Sequence, residues 1–336
     1  ICRGEGRQSL RDTGSARSMV SVGCPVQKDG KGAIRNVFRE FRRLGCGDHI
    51  HPGPLAMAVN GAHLVASRQG LYRVDHVGYR KLVDGHFFGV TVRDGWVYCF
   101  KTVPLAEAEA NPNSGSLVRY PYLDDALGAP ELLVDGLDYN GHQVAFFDGA
   151  FWLVDSGNQQ ILEFDAGWNG KAHRIGPAVA RRGSDDAHIN SFHGKDDRIY
   201  LMFHNGHRKV PSEIVEFDRD FTELRRTGLP STGCHDVVPL EDGSLLYCDS
   251  IRGRIAVVGG GANKIDELYT RGLAVGAHEI AVGSSLYGAR ASRSLLPGFV
   301  TFLDRAYQRI ARVYLPAAPT QICRLDGMDL SLSTPR

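Results

Sequence analysis

The stretch "GHQVAFFDGAFWLVDSGNQQILEFD" (141–165) decides the fold. Short apolar runs alternate with two turn signals, Asp148-Gly149 and Ser156-Gly157-Asn158, and predict three consecutive β-strands joined by tight turns. Asp-Gly is favoured in such turns because both residues tolerate the positive φ that a two-residue hairpin needs.

The same rhythm recurs along the chain. Hairpins are predicted in "AVNGAHLVAS" (58–67), "VRDGWVYCF" (92–100), "FFDGAFWLVDS" (146–156), "GKDDRIYLMF" (194–203), "LEDGSLLYCDS" (240–250) and "AVGSSLYGAR" (281–290). A third strand follows most of them ("GLYRVD", "QQILEFD", "EIVEFD", "RIAVVG", "FVTFLD"), and then a more polar fourth ("YRKLVDG", "KAHRIG", "TELRRTG", "DELYTRG"). Four strands per unit at a period of roughly 40–50 residues is the signature of a β-propeller. The expected fold is all-β, a six-bladed β-propeller with blades from about residue 50 to 325. Residues 1–31, rich in Gly, Ser and Arg, are expected to form a loosely structured N-terminal arm, and 32–336 the propeller domain. Either "AIRNVFREF" or "TQICRLDGM" is available to complete the terminal blade.

Composition narrows the function. A formal net charge of +1 gives no electrostatic footprint for nucleic acid or an anionic membrane. No apolar run approaches the roughly 20 residues that span a bilayer. Seven cysteines, irregularly spaced and without CxxC, fit a reducing, cytoplasmic compartment better than a disulfide scaffold. Walker A, GxSxG and HExxH are missing, as is a GxGxxG following a strand.

Histidine carries the chemical signal. His142, His188, His235 and His278 open four repeat stretches at intervals of 43 to 47 residues. If each begins the innermost strand of its blade, all four face the propeller axis. Neutral imidazole is a favoured ligand of Zn, Fe and Cu, and axial symmetry can assemble such a site from distant parts of the chain. The competing expectation is a structural role, each ring bonding a neighbouring blade's backbone. The residue after each histidine varies (Gln143, Ile189, Asp236, Glu279), which favours the ligand expectation. His86 is the reserve member, two positions off the alignment, and Pro54 leaves the ring open at blade one. His49 and His51 read as a surface loop, His204 and His207 as blade-edge residues, and Cys234 as pointing away from His235.

"VDSGNQQILEFD" (154–165) and "YCDSIRGRIAVVG" (247–259) resemble NHL-type six-bladed propellers: apolar, Asp, Ser, a turn, then an apolar strand, with Asp155 and Asp249 each six residues before Ile161 and Ile255. The chain is similar in strand pattern to the peptide α-amidating lyase group. That resemblance implies a zinc held by axial histidines, with a Tyr and an Arg acting on the substrate. In histidine count it resembles the carotenoid-cleaving oxygenases, which hold Fe(II) with four histidines. Tyr139, three residues before His142, is the candidate general base, and Arg290, with Arg293 nearby, the candidate substrate anchor.

The expected function is a metal-dependent enzyme, lyase-type in its lead chemistry, acting on a small molecule or peptide. It would use one divalent transition metal (Zn, Fe or Cu). The alternatives are an iron or copper oxygenase or oxidoreductase on the same ring, and a non-catalytic binding or scaffold propeller.

Overall fold

The computed structural model describes residues 61–175, 187–206, 209–288 and 296–325. The expected arm and its boundary at 31/32, the stretch 32–45, His49, His51, Pro54, His207, Arg290 and Arg293 lie outside the described residues.

Six antiparallel sheets form the blades of a β-propeller. Their innermost strands are Pro319–Arg324 (blade 1), His86–Arg93 (blade 2), Gly141–Phe147 (blade 3), Ile189–Lys195 (blade 4), His235–Pro239 (blade 5) and Tyr269–Val275 (blade 6). Blade 1 pairs the C-terminal strand with His63–Ser67, so "TQICR" completes the ring. The Asp-Gly turns behave as their sequence predicts: Asp94 and Gly95 have φ of 49° and 75°, and Asp148 and Gly149 have φ of 51° and 79°.

Six apolar clusters fill the gaps between adjacent blades. One joins Trp152 and Val154 of blade 3 to Phe192 and Leu201 of blade 4, where the Trp152 and Phe192 rings stack at 5.2 Å. Another joins Tyr72 and Ile322 of blade 1 to Phe302 and Leu315 of blade 6. Burial of this kind, at about 25 cal/mol per Å² of apolar surface, is what holds blade to blade.

Polar side chains link the innermost strands, which do not pair with one another as a ladder. Gln143 of blade 3 accepts from Phe192 N (2.7 Å), Asn190 of blade 4 donates to Cys234 O (2.9 Å), and Asp236 of blade 5 accepts from Gly272 N (3.0 Å). Gln321 of blade 1 accepts from Val90 N of blade 2 (2.9 Å). Gln143 and Asp236 thus share one task, and the variation after His142 and His235 is a change of residue type within a constant role.

Blade 6 departs from the expected register. Its first hairpin does not turn at Gly283, which lies inside the strand Glu279–Ser285. A Cβ at Gly283 would stand 2.2 Å from Arg271 O and 2.7 Å from Pro319 Cβ, so this glycine serves close packing. The turn falls at 276–278, and "YTRGLAV", whose first residues read as a fourth strand of blade 5, is the innermost strand of blade 6.

Candidate functional site

His142 and His235 begin the innermost strands of blades 3 and 5, and His188 directly precedes that of blade 4, held at a φ of 48°. Because these strands run in the same sense around the axis, their starts meet at one mouth of the channel. The His142 and His188 ring centroids are 4.9 Å apart. A fourth ring enters from an unexpected place. His204, just past the second strand of blade 4, sits 4.9 Å from His188 and 4.9 Å from His235. Its backbone N–H bonds His188 O at 3.1 Å, which returns the strand end to the mouth.

The arc continues in both directions. Phe88 lies 5.5 Å from His142, in the place His86 was expected to fill. Tyr269 begins blade 6, 5.5 Å from His235, and Tyr287 follows 5.1 Å beyond it. His278 is not part of this arc. It is exposed in the turn between Tyr269–Val275 and Glu279–Ser285, at the other end of the strand. The error in register at Gly283 moved the expected strand start from Tyr269 to His278.

Hydrogen bonding fixes the tautomers of two imidazoles. Nδ1 of His142 is 2.7 Å from Asn140 O and 3.0 Å from Ser156 Oγ, and the Ser156 hydroxyl has Ile189 O to donate to. A carbonyl only accepts, so His142 carries its proton on Nδ1. At His235, Nδ1 is 3.2 Å from Gly233 O, 3.1 Å from Ser250 Oγ and 3.1 Å from the Tyr269 hydroxyl, which itself reaches Gly233 O at 3.3 Å. Ser156 and Ser250 are the serines of the two Asp-Ser motifs. Asp155 bonds Asn158 and Gln160, and Asp249 pairs with Arg254, so each aspartate ties down the turn that presents its serine.

Both histidines are neutral at pH 7. Burial pushes His142 and His235 well below the ordinary imidazole range, and the neighbouring imidazoles and the Arg271 cation add to the effect. With Nδ1 protonated, Nε2 of each ring holds the lone pair. The donor chemistry suits a transition metal, since a ligating histidine commonly donates its other ring N–H to a carbonyl or hydroxyl. His142, His188, His204 and His235 would hold such an ion. Among the described residues, however, no three His, Cys, Asp or Glu side chains are already grouped to hold a metal.

No protein-family model matches the chain. No curated protein matches it in sequence. Solved structures match it in fold. One is a chain of a nidogen/laminin complex, 12% identical, covering 78% of this chain and 97% of that one at a TM-score of 0.57. Another is a protein of unknown function from Bacteroides caccae, 11% identical, covering 79% and 99% at 0.53. A gluconolactonase-like protein is 12% identical, covering 79% and 84% at 0.51. At these identities the likeness is one of fold.

Two clefts flank the arc. His86 and Tyr139 both line the first, with Arg68, Phe88 and the short helix Leu105–Ala110. Burial and the Arg68 cation lower the His86 pKa. The second is lined by Arg68, Arg271, Tyr269, Tyr287 and Leu296. Arg271 was missed because it falls in the strand assigned to the wrong blade. Cys234 faces the apolar core of blades 4 and 5, where burial drives its thiol up to about 12, so it is an inert neighbour of His235. No helix among the described residues is long and apolar enough to cross a membrane.

Proposed function

We propose that the protein is an enzyme of lyase type acting on a small molecule or peptide at this channel mouth. The observation that carries the reading is the state of the arc: buried, neutral imidazoles whose Nδ1–H groups are committed to carbonyl and hydroxyl oxygens. A propeller needs no such feature to close, because the blades are already joined by apolar packing and by Gln143, Asn190, Asp236 and Gln321.

In the leading mechanism Nε2 of His235 removes a proton from the substrate. The Nδ1–H bonds to Gly233 O and the hydroxyls of Ser250 and Tyr269 stabilise the imidazolium that forms. Arg271 and Arg68 favour the anionic transition state of an elimination. His86 or Tyr139, in the adjoining cleft, is placed to protonate a leaving group.

A second reading is favoured by the same tautomers: a divalent transition metal held by His142, His188, His204 and His235. The ion would supply Lewis acidity, or dioxygen chemistry if it is iron or copper. Metal analysis of purified protein after reloading with Zn, Fe and Cu separates the two. One equivalent of metal, lost in His188→Ala and His235→Ala, establishes the second reading. Below a tenth of an equivalent, the metal-free mechanism stands. It then requires that His235→Ala lose at least ~100-fold in turnover with the fold intact. Unchanged turnover in that variant would leave a binding propeller.

A further inference from the structure

The first cleft holds a buried polar group that neither proton transfer nor metal binding uses. At the channel mouth, blades 1, 3 and 5 join their second and third strands within residues 68–69, 156–159 and 250–253. Blade 2 instead runs through residues 103–114 and folds the helix Leu105–Ala110 there, with Pro104 at its entry (φ −51°) and Ala108 buried. Between this helix, the Phe88 ring and the approach to His142 at Tyr139 and Asn140 lies a cleft of about 320 Å³, within the range of small-molecule sites. Asn140 O also accepts from His142 Nδ1, so the cleft opens beside the arc. His86 and Thr102 are paired across the blade 2 hairpin, and residues so paired project from the same face of a sheet. Both line the cleft. Thr102 is 6% exposed, and its Oγ1 is buried with no hydrogen-bond partner among the described residues. An unpaired buried hydroxyl costs stability unless a ligand completes it. The rest of the described wall is largely apolar, with Phe88, Val103, Pro104, Leu105 and Ala106, and its formal charges, Arg68 and Glu109, are of opposite sign.

We propose that this cleft binds a neutral molecule with a flat apolar body and an amide or hydroxyl head, the head meeting Thr102 and His86 and the body lying between Phe88 and the helix. The inference names the substrate class of the histidine site and rests on the elimination reading only for what happens after binding. Hydroxyl and imidazole can each donate and accept, which suits an uncharged head. A charged head would lose its hydration against a wall of no net formal charge.

Calorimetric titration of the full chain with two matched sets tests it: indole-3-acetamide against indole-3-acetate and tryptamine, and phenylacetamide against phenylacetate and phenethylamine. The amides should bind, and each anion and cation should bind at least ~10-fold more weakly. Ala106→Trp, which fills the cleft from an exposed helix position, should weaken both amides by ~10-fold or more. Thr102→Val should weaken them by ~3- to 10-fold and raise the urea midpoint of the free protein, because a methyl replaces an unpaired buried hydroxyl. A hydroxyl with a purely structural role would lower that midpoint on removal. No binding of either amide, a preference for the charged analogues, or full amide binding in Ala106→Trp or in Thr102→Val overturns the proposal. Amide binding with this variant pattern, retained in His235→Ala by a protein that turns over no compound of the class, keeps the binding site and defeats the enzyme reading instead.

Discussion

Ser250 Oγ stands 3.1 Å from Nδ1 of His235, just as Ser156 Oγ stands 3.0 Å from Nδ1 of His142 two blades away. The Asp-Ser motif that marks the repeat in sequence is therefore also what steadies the imidazoles. The aspartate folds the turn and the serine meets the ring, so a structural signature and a chemical one occupy adjacent residues.

Replacing Ser250 by Ala removes one of three oxygen neighbours of His235 Nδ1 and leaves Gly233 O in place. The expected cost is about 0.5–1.5 kcal/mol, read by urea unfolding. ¹⁵N chemical shifts should still report an Nδ1–H tautomer. A switch to Nε2–H would show that Ser250, and not the backbone, selects it.

The protein should lose stability as pH falls through 6.5. His142 and His235 have folded pKa values well below the unfolded one, so the unfolded chain binds more protons below about pH 6.5. Their contribution is fully present above that value. It declines on acidification by about 1.4 kcal/mol per pH unit for each ring. Asp236 acts in the opposite sense. Its folded pKa of about 6 exceeds the ordinary aspartate value of 3.8, so its destabilisation is relieved as pH drops through 6. Asp236→Asn should steepen the acid loss below pH 6 in melts across pH 4–8. An unchanged slope would show that Asp236 is not the opposing group.

His204 and His278 should exchange the importance their sequence context assigns. His204→Ala removes the ring between His188 and His235 and should lower turnover by ~10²-fold or more, and metal occupancy with it if the site is metallated. His278→Ala, in an exposed turn, should stay within about 0.5 kcal/mol of wild type and keep full activity. Parallel melts, metal analysis and rate measurements on the two variants check this.

How far the sequence reveals the fold depends on which kind of glycine is being read. Asp-Gly at 94–95 and 148–149 announces its turns because backbone conformation is local. Gly283 looks equally turn-like, but it is required by the approach of Arg271 O and Pro319 from other strands, and no local pattern reports that contact. That single misreading displaced a strand, and with it Tyr269, Arg271 and His278. Three histidines of the arc were legible because they share a repeat position. His204 was not, since it reaches the mouth from the end of a second strand.

Gly283→Ala should therefore disturb both fold and site. The added methyl meets the backbone of Arg271, and relief requires a shift of that strand. A loss of about 1–3 kcal/mol is expected, together with lower turnover than in wild type. Retained turnover with lost stability would show that the shift spares the Arg271 side chain.

The pairing of Pro319–Arg324 with His63–Ser67 has a consequence for how the chain is made. Thr320 Oγ1 donates to Ala66 O at 2.9 Å, across 254 residues of sequence. While the chain emerges from the ribosome, five blades can assemble in order, but the first lacks its innermost strand until residues 319–324 follow the strands of all the others. Until then the edge at His63–Ser67 is open to strand addition from other nascent chains. A contact of such sequence separation also slows the last step of folding. Production of this protein, in a cell or in a tube, is thus governed by the strand that closes the ring: a chain stopped short of residue 319 should be captured by chaperones or aggregate rather than accumulate as a five-and-a-half-bladed ring.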